Sequence, residues 1–343
     1  MEIYQIPASY PLREVRHFPR NYMSTFLPIS AISSHSKTDK IELESRNRMF
    51  ILGMGFIGQF FAQNLKNEGW VVTGTSTSTI KKEQLQERGF DICLFDANEP
   101  QFSTLNRLKH YTHLLVSIPS VVGIGDPVLQ HRELLRSSLM DGNLQWLGYL
   151  SSTSVYGDCG GAWVDENYPP NPTSEVAKSR LAAEEGWLNL GITLELSTQV
   201  FRLGGIYGPG RSAVDTITKQ EPISKSQKMR ISKQYTSRVH VEDICQALKA
   251  SIYKPSFGRI YNIVDDDPAP REEVFAYAED LVGRKWPGWV KESTSSEKAL
   301  SYNKRGEKRV SNGRLKRELG VRLLYPSYRS GLLSIIDQME NPL

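Results

Sequence analysis

The chain has 343 residues, 39% hydrophobic and 23% charged, enough apolar material for one large or two modest globular domains and a composition unlike that of a disordered chain. A formal net charge of +4 is too mild to imply nucleic acid or an acidic membrane surface as partner unless it is concentrated somewhere, and no apolar run approaches the roughly 18 to 20 residues that span a bilayer. Cys93, Cys159 and Cys245 are isolated and without CxxC spacing, which argues against a disulfide framework, a zinc ribbon or a redox pair and fits a reducing compartment.

Residues 1–47 form a leader. Residues 15–38 contain no Asp or Glu but carry Arg16, Arg20, Lys37 and the hydroxyls Ser24, Thr25, Ser30, Ser33, Ser34 and Ser36, a composition that suits an organellar transit peptide, chloroplast ahead of mitochondrion. Glu2, Glu14 and Asp39 interrupt the bias, and a flexible extension of a cytoplasmic protein has much the same composition. The continuous apolar core of a secretory signal is absent from this stretch.

After Arg48, the run Met49-Phe50-Ile51-Leu52 reads as a strand, Gly53-Met54-Gly55-Phe56-Ile57-Gly58 as a turn, and residues 59–65 as a helix with apolar spacing. Gly53 serves the tight turn, Gly55 lets the backbone approach a pyrophosphate, and Gly58 lets helix and strand pack closely, with the phosphates on the helix N-terminus. A second strand, residues 70–75, supplies the context that a lone GxGxxG lacks. About twenty residues beyond the glycines, a site for NAD places an acid on the ribose 2′-hydroxyl. Here stand Ser76, Thr77 and Ser78, followed by Lys81 and Lys82. Hydroxyls and ammonium groups accept a 2′-phosphate, so NADP is expected over NAD, although the two lysines also suit the solvated face of the next helix.

Further apolar runs at residues 92–96, 113–118 and 146–150 recur at the intervals of alternating strands and helices, which predicts an α/β fold with a doubly wound parallel sheet. His110 and His113 have HxxH spacing but lead into a strand, where i and i+3 face opposite ways, so no metal site is expected. Lys304, Arg305, Lys308, Arg309, Arg314, Lys316 and Arg317 form the densest basic cluster. Glu307 interrupts it and no aromatics interleave, so a solvated face is a better reading than an RNA or anionic-substrate surface.

Several segments together resemble the extended short-chain dehydrogenase/reductase family, in its NAD-dependent epimerase/dehydratase-like group. They are the glycine turn, Asp96 after the third strand, Ser151-Ser152-Thr153-Ser154-Val155-Tyr156-Gly157, Arg202 with Tyr207-Gly208-Pro209-Gly210, Arg238-Val239-His240-Val241-Glu242-Asp243 and Tyr261-Asn262-Ile263-Val264. Residues 151–184 look most like the YeeZ-like branch of plant and plastid type. The resemblance implies a Rossmann domain over residues 48–200 and a smaller C-terminal substrate-binding region over 201–343 that completes the sheet. It also implies cofactor contacts at Gly53, Gly55, Phe56, Ile57, Gly58, Ser76, Thr77, Lys81, Asp96, Ser117, Ile118 and Pro119, substrate contacts at Tyr207, Arg211 and His240, and a homodimer as one possible assembly; for His240, in the alternating run of residues 238–241, a hydrogen-bonded, half-buried histidine is the better reading.

In that family a Ser at the end of the fifth strand and a Tyr and Lys four residues apart carry hydride and proton transfer. Ser152 matches the first, as a group to orient a substrate oxygen or, alternatively, as a strand-end cap. Aligning Ser179-Arg180-Leu181 and Glu184 with the family's helix puts Val176 at the Tyr position and Arg180 at the Lys position. Val176 has no proton to give, and Arg180 stays charged and cannot relay one. Tyr156, Tyr207 and Lys178 are the substitute acids nearest in sequence. Three functions stay open: an NAD(P)-dependent oxidoreductase or epimerase/dehydratase acting on an unidentified small, sugar-nucleotide-like substrate; a non-catalytic NADP(H) sensor or scaffold; and a plastid RNA-binding relative.

Overall fold

The computed structural model describes residues 47–100, 102–140, 142–219, 235–289 and 307–340. Residues 1–46 of the expected leader and residues Lys304 and Arg305 of the basic cluster lie outside them. Strand β1 (Arg48–Leu52) leads into helix α1 (Phe56–Asn67), then β2 (Val71–Ser76), α2 (Thr79–Glu87), β3 (Asp91–Leu94), the short α3 (Phe102–Asn106), β4 (His113–Val116), α4 (Arg132–Met140) and β5 (Trp146–Ser152). There follow β6 (Trp163–Val164), the long α5 (Glu175–Thr193), β7 (Ser197–Leu203), β8 (Gly205–Tyr207), α6 (Ala213–Thr218), β9 (Arg238–His240), α7 (Val241–Tyr253), β10 (Arg259–Ile263), α8 (Arg271–Lys285), β11 (Arg309–Val310) and α9 (Tyr328–Gln338). Among the described residues no helix is long and apolar enough to cross a membrane.

The main sheet is parallel throughout, in the order β10-β7-β5-β4-β1-β2-β3. A parallel sheet covered on both faces needs strands apolar on both faces, and β1 shows it. Met49 and Ile51 enter the layer under α1 and α7 with Phe61, Leu65, Ile244 and Leu248, while Phe50 and Leu52 enter the opposite layer with Leu135, Tyr149 and Trp187. This is the expected doubly wound α/β fold. Chain order reverses between β1 and β4, which opens a crevice at the strands' carboxyl ends. The division expected at residue 200 falls inside β7, whose residues are all buried.

His113 is wedged against Trp70 and Trp146, with ring centroids 4.8 and 6.3 Å away, while His110 is exposed; the two do not converge, and the described residues hold no group of metal-binding side chains. One buried ion pair ties α5 to the sheet. Glu184 and Arg202, 2% and 3% exposed at the side chain, meet at 2.7 Å, and a second guanidinium nitrogen of Arg202 lies 3.1 Å from each carboxylate oxygen. The hydroxyl of Ser151 also donates to Glu184.

Removing one partner of such a pair leaves an uncompensated buried charge. Glu184→Ala should therefore lower the unfolding free energy by about 3–5 kcal/mol, whereas Glu184→Leu combined with Arg202→Met should cost far less; urea denaturation of the three chains measures both. Burial pushes the His113 imidazole down to about 4, so the unfolded chain binds the extra proton. Its contribution is whole above the ordinary His value near 6.5 and is lost as pH falls toward about 4, amounting to about 2 kcal/mol between pH 6.5 and 5. The fall in stability from pH 7 to pH 5 should be shallower in His113→Phe by that amount.

Candidate functional site

The glycine turn leaves β1 with Gly53 at φ +99°. The Gly53 N–H donates to Thr75 Oγ1 at 2.9 Å and the Met54 N–H to the Thr75 carbonyl at 2.8 Å, so β2 sets the turn's position. A Cβ on Gly58 would lie 2.7 Å from the Gly53 carbonyl oxygen, which is the close helix–strand packing expected of it. Gly55 differs: its φ of −78° suits any residue, yet a Cβ there would meet no atom within 4 Å. The space beyond it belongs to a cavity of about 300 Å³ at the carboxyl ends of β1–β4. Helix α1 begins there with no side-chain cap and no acid in its first turn, leaving its N–H groups and positive end for an anion.

The cavity wall holds most of the expected cofactor residues: Gly53, Gly55, Ser76, Thr77, Lys81, Asp96, Ser117, Ile118 and Pro119. Phe56 and Ile57 start α1 beside it. Thr77 after β2 and Lys81 in the first turn of α2 are exposed, and that turn contains no acid. The Ser76 hydroxyl turns back on the chain and donates to the Ser78 carbonyl at 3.3 Å, while Ser78 caps α2. Asp96 accepts from the backbone and side-chain amides of Asn98 at 2.9 and 3.0 Å, forming a local turn at the cavity edge.

A second cleft, about 730 Å³, opens beyond β5 and is lined by Ser152, Ser154, the segment 204–207, Arg211, Arg238, Lys308 and residues of α6 and α8. Ser152 Oγ accepts from the Ser154 N–H at 3.1 Å, closing the turn at Thr153–Tyr156, so the capping role is present, and the residue also lines the cleft. Arg180 donates to Ser154 Oγ at 3.4 Å from below that turn. Val176 is 44% exposed and outside the cleft lining.

Three expectations are corrected. Tyr156 is fully buried and outside the cleft: its hydroxyl donates to Asn262 Oδ1 at 2.9 Å, Arg202 lies 4.8 Å over its ring, and burial raises its pKa, which suits a packed ring rather than a proton donor. His240 is 2% exposed and does not reach the cleft. Its Nδ1 accepts from the Glu242 N–H at 3.3 Å to cap α7, its ring sits 4.1 Å from that of Tyr325, and burial pushes it down to about 4. Lys178 lies on the surface, paired with Glu175 at 2.8 Å. Tyr207 does line the cleft, but its hydroxyl is buried without a hydrogen-bond partner, packed where a Cβ on Gly331 would lie 2.2 Å away, and burial raises its pKa strongly.

Other cleft residues carried no local sign of their place. Lys308, read as part of a solvated basic cluster, is 7% exposed and donates to the Gly157 carbonyl at 2.6 Å. It arrives because β11 pairs with β6, about 150 residues upstream, and no short motif records such a pairing. Of the cluster's other described members, Arg309 donates to the Gly161 carbonyl at 2.8 Å, Arg314 donates to Asn167 at 2.6 Å and Lys316 pairs with Asp266 at 2.5 Å on the surface, while Arg317 is exposed, as a solvated face expects. Cations outnumber acids around the cleft, with Arg211, Lys219, Arg238, Arg271 and Lys308 against Asp215 and Glu307.

Comparison with known proteins agrees with this geometry. The model of the NAD dependent epimerase/dehydratase family matches residues 49–264. Protein YeeZ of Escherichia coli strain K12 is 29% identical over 286 residues, spanning 81% of this chain and 96% of YeeZ. The structure of a functionally unknown conserved protein from Silicibacter pomeroyi DSS is 36% identical with a TM-score of 0.68, covering 86% of this chain and 100% of that one. UDP-glucuronic acid 4-epimerase from Bacillus cereus, in complex with UDP-glucuronic acid and NAD, is similar in fold at 19% identity, with a TM-score of 0.65 over 85% of this chain and 99% of its own.

Because Gly55 has ordinary backbone angles and open space before it, Gly55→Val should fold with a melting temperature close to the parent's and lose at least about tenfold in dinucleotide affinity, since the branched side chain fills the room a phosphate needs. Thermal melts and cofactor titration of the same preparation check both halves.

Proposed function

This chain belongs to the NAD dependent epimerase/dehydratase family, and we propose that it uses NADP(H) for hydride transfer on a small anionic, sugar-nucleotide-like substrate held in the cleft beside Ser152. The observation that carries this reading is the adjacency of two differently built spaces along the sheet's carboxyl edge. One is a narrow cavity at an uncapped helix end with Gly55 open before it; the other is a larger, cation-rich cleft bearing the Ser152 hydroxyl.

The residues fit a dinucleotide. The N-terminus of α1 and the space before Gly55 would hold the diphosphate, Asp96 and residues 117–119 would flank the adenosine half, and Lys81 with Thr77 would meet a 2′-phosphate. When bound, the nicotinamide supplies a hydride donor or acceptor. Ser152 donates its hydroxyl proton in a hydrogen bond to the substrate oxygen and so holds the reacting carbon in place. Arg180 holds Ser154 and through it the turn that presents Ser152. The excess of cations over acids in its lining makes the cleft wall positive, which favours an anionic substrate.

The second reading, a non-catalytic NADP(H) sensor, is favoured by the exposed Val176 at the position of the family's tyrosine. Titration with NADPH and NADH separates cofactor choice: NADPH should bind about tenfold more tightly, and Lys81→Ala should remove most of that preference by deleting one charge-assisted contact. For catalysis, Ser152→Ala should lower turnover about 10²-fold with cofactor affinity unchanged. Absence of cofactor oxidation or reduction across a broad panel of sugar nucleotides and other small anions, with NADPH still bound, would leave the sensor reading standing.

A further inference from the structure

We infer that Arg211 clamps the cofactor's diphosphate from the substrate side, so that one residue closes the boundary between the two spaces; this rests on the dinucleotide reading above. Arg211 lines the larger cleft, yet its guanidinium carbon lies 5.4 Å over the ring of Phe56, the first residue of α1. An arginine of the C-terminal region therefore stands at the helix end on which the diphosphate would rest.

Its origin is held in place. Gly208 and Arg211 exchange backbone hydrogen bonds of 3.1 and 3.0 Å, and the turn between them passes through Gly210 at φ +78°. The turn is seated against α1, because a Cβ on Gly208 would come within 3.3 Å of Phe56 Cζ and 2.6 Å of Val241 Cγ1. The backbone that carries Arg211 therefore cannot leave the helix start without unpacking that contact.

The charges lead to the same place. Among the described residues no acid pairs with Arg211, and the first turn of α1 contains none. A helix end that opens on the smaller cavity and a guanidinium that opens on the larger cleft thus meet at the boundary between the two, where Arg211 lies over Phe56. Two of the other cleft cations are committed elsewhere, Arg238 to the Ala269 carbonyl at 2.8 Å and Lys308 to the Gly157 carbonyl at 2.6 Å. A diphosphate supplies the missing negative charge and the oxygen geometry that a planar guanidinium fork matches.

The test is titration of the full chain and of its Arg211→Ala and Arg211→Lys variants with NADPH and NADH, with 2′-AMP and adenosine as probes that keep the adenosine end and lack the diphosphate. The clamp predicts that Arg211→Ala weakens the dinucleotide about tenfold, that Arg211→Lys recovers part of it, and that the affinity for the short probes does not change. A variant that holds the dinucleotide within about twofold of the parent overturns the clamp alone and returns Arg211 to the substrate. Equal losses on long and short ligands overturn it as well. A parent chain that takes up neither dinucleotide overturns the dinucleotide reading and the clamp together.

Discussion

At the cleft end of the sheet, the carboxylate of Glu184 and the guanidinium of Arg202 face each other out of contact with water, and both charges would be costly to leave alone. That constraint sets the register of three elements at once. Ser151 and Arg202 are directly paired across β5 and β7, so both turn to the same face and meet Glu184 on α5. With a side-chain period of two, Ser152 must turn the other way, toward the cleft. A one-residue slip of β5 would bury Ser152 under α5 and turn Ser151 away from Glu184, and a slip of β7 would turn Arg202 away from the same carboxylate. The same guanidinium lies over Tyr156, whose hydroxyl reaches Asn262, and the backbone N–H of Asn262 donates to Glu166 at 2.8 Å. The loop after β5 is thereby tied to β10 by a continuous polar path.

The two spaces along the carboxyl edge are built by different means. In the smaller one the backbone does the work: a left-handed glycine, a glycine with nothing before it, a helix end without a cap. Side chains alone would not leave room there for a phosphate group to approach the chain. The larger cleft is built from side chains delivered by distant segments, and its wall is cationic. The two meet at the turn through residues 208–211, which packs on Phe56.

The glycine turn was legible because its strand, its glycines and its helix follow one another directly in the chain. β1, β4 and β5 announced themselves as apolar runs, and the missing Tyr–Lys pair was legible because two helix positions four apart share a face whatever surrounds them. Tyr156 and His240 misled for the opposite reason. Each stands beside a motif with the look of chemistry, but what decides its role comes from far along the chain: Asn262 and Arg202 for the tyrosine, and Tyr325 for the histidine. Lys308 was hidden in the same way, as one cation among several until β11 carried it against Gly157.

What this sequence determines by itself is therefore its short-range geometry: alternating elements, the strand–turn–helix that receives an anion, the hydroxyls and lysines after β2, and the loss of the usual proton donor. These follow from backbone angles and periodicity, which act between neighbours. Only the tertiary structure decides which side chains share the cleft, which way Ser151 and Ser152 face, and that Arg211 rests on the first residue of α1. Those outcomes depend on strand register and on burial, and both are set by contacts that close loops of tens to hundreds of residues.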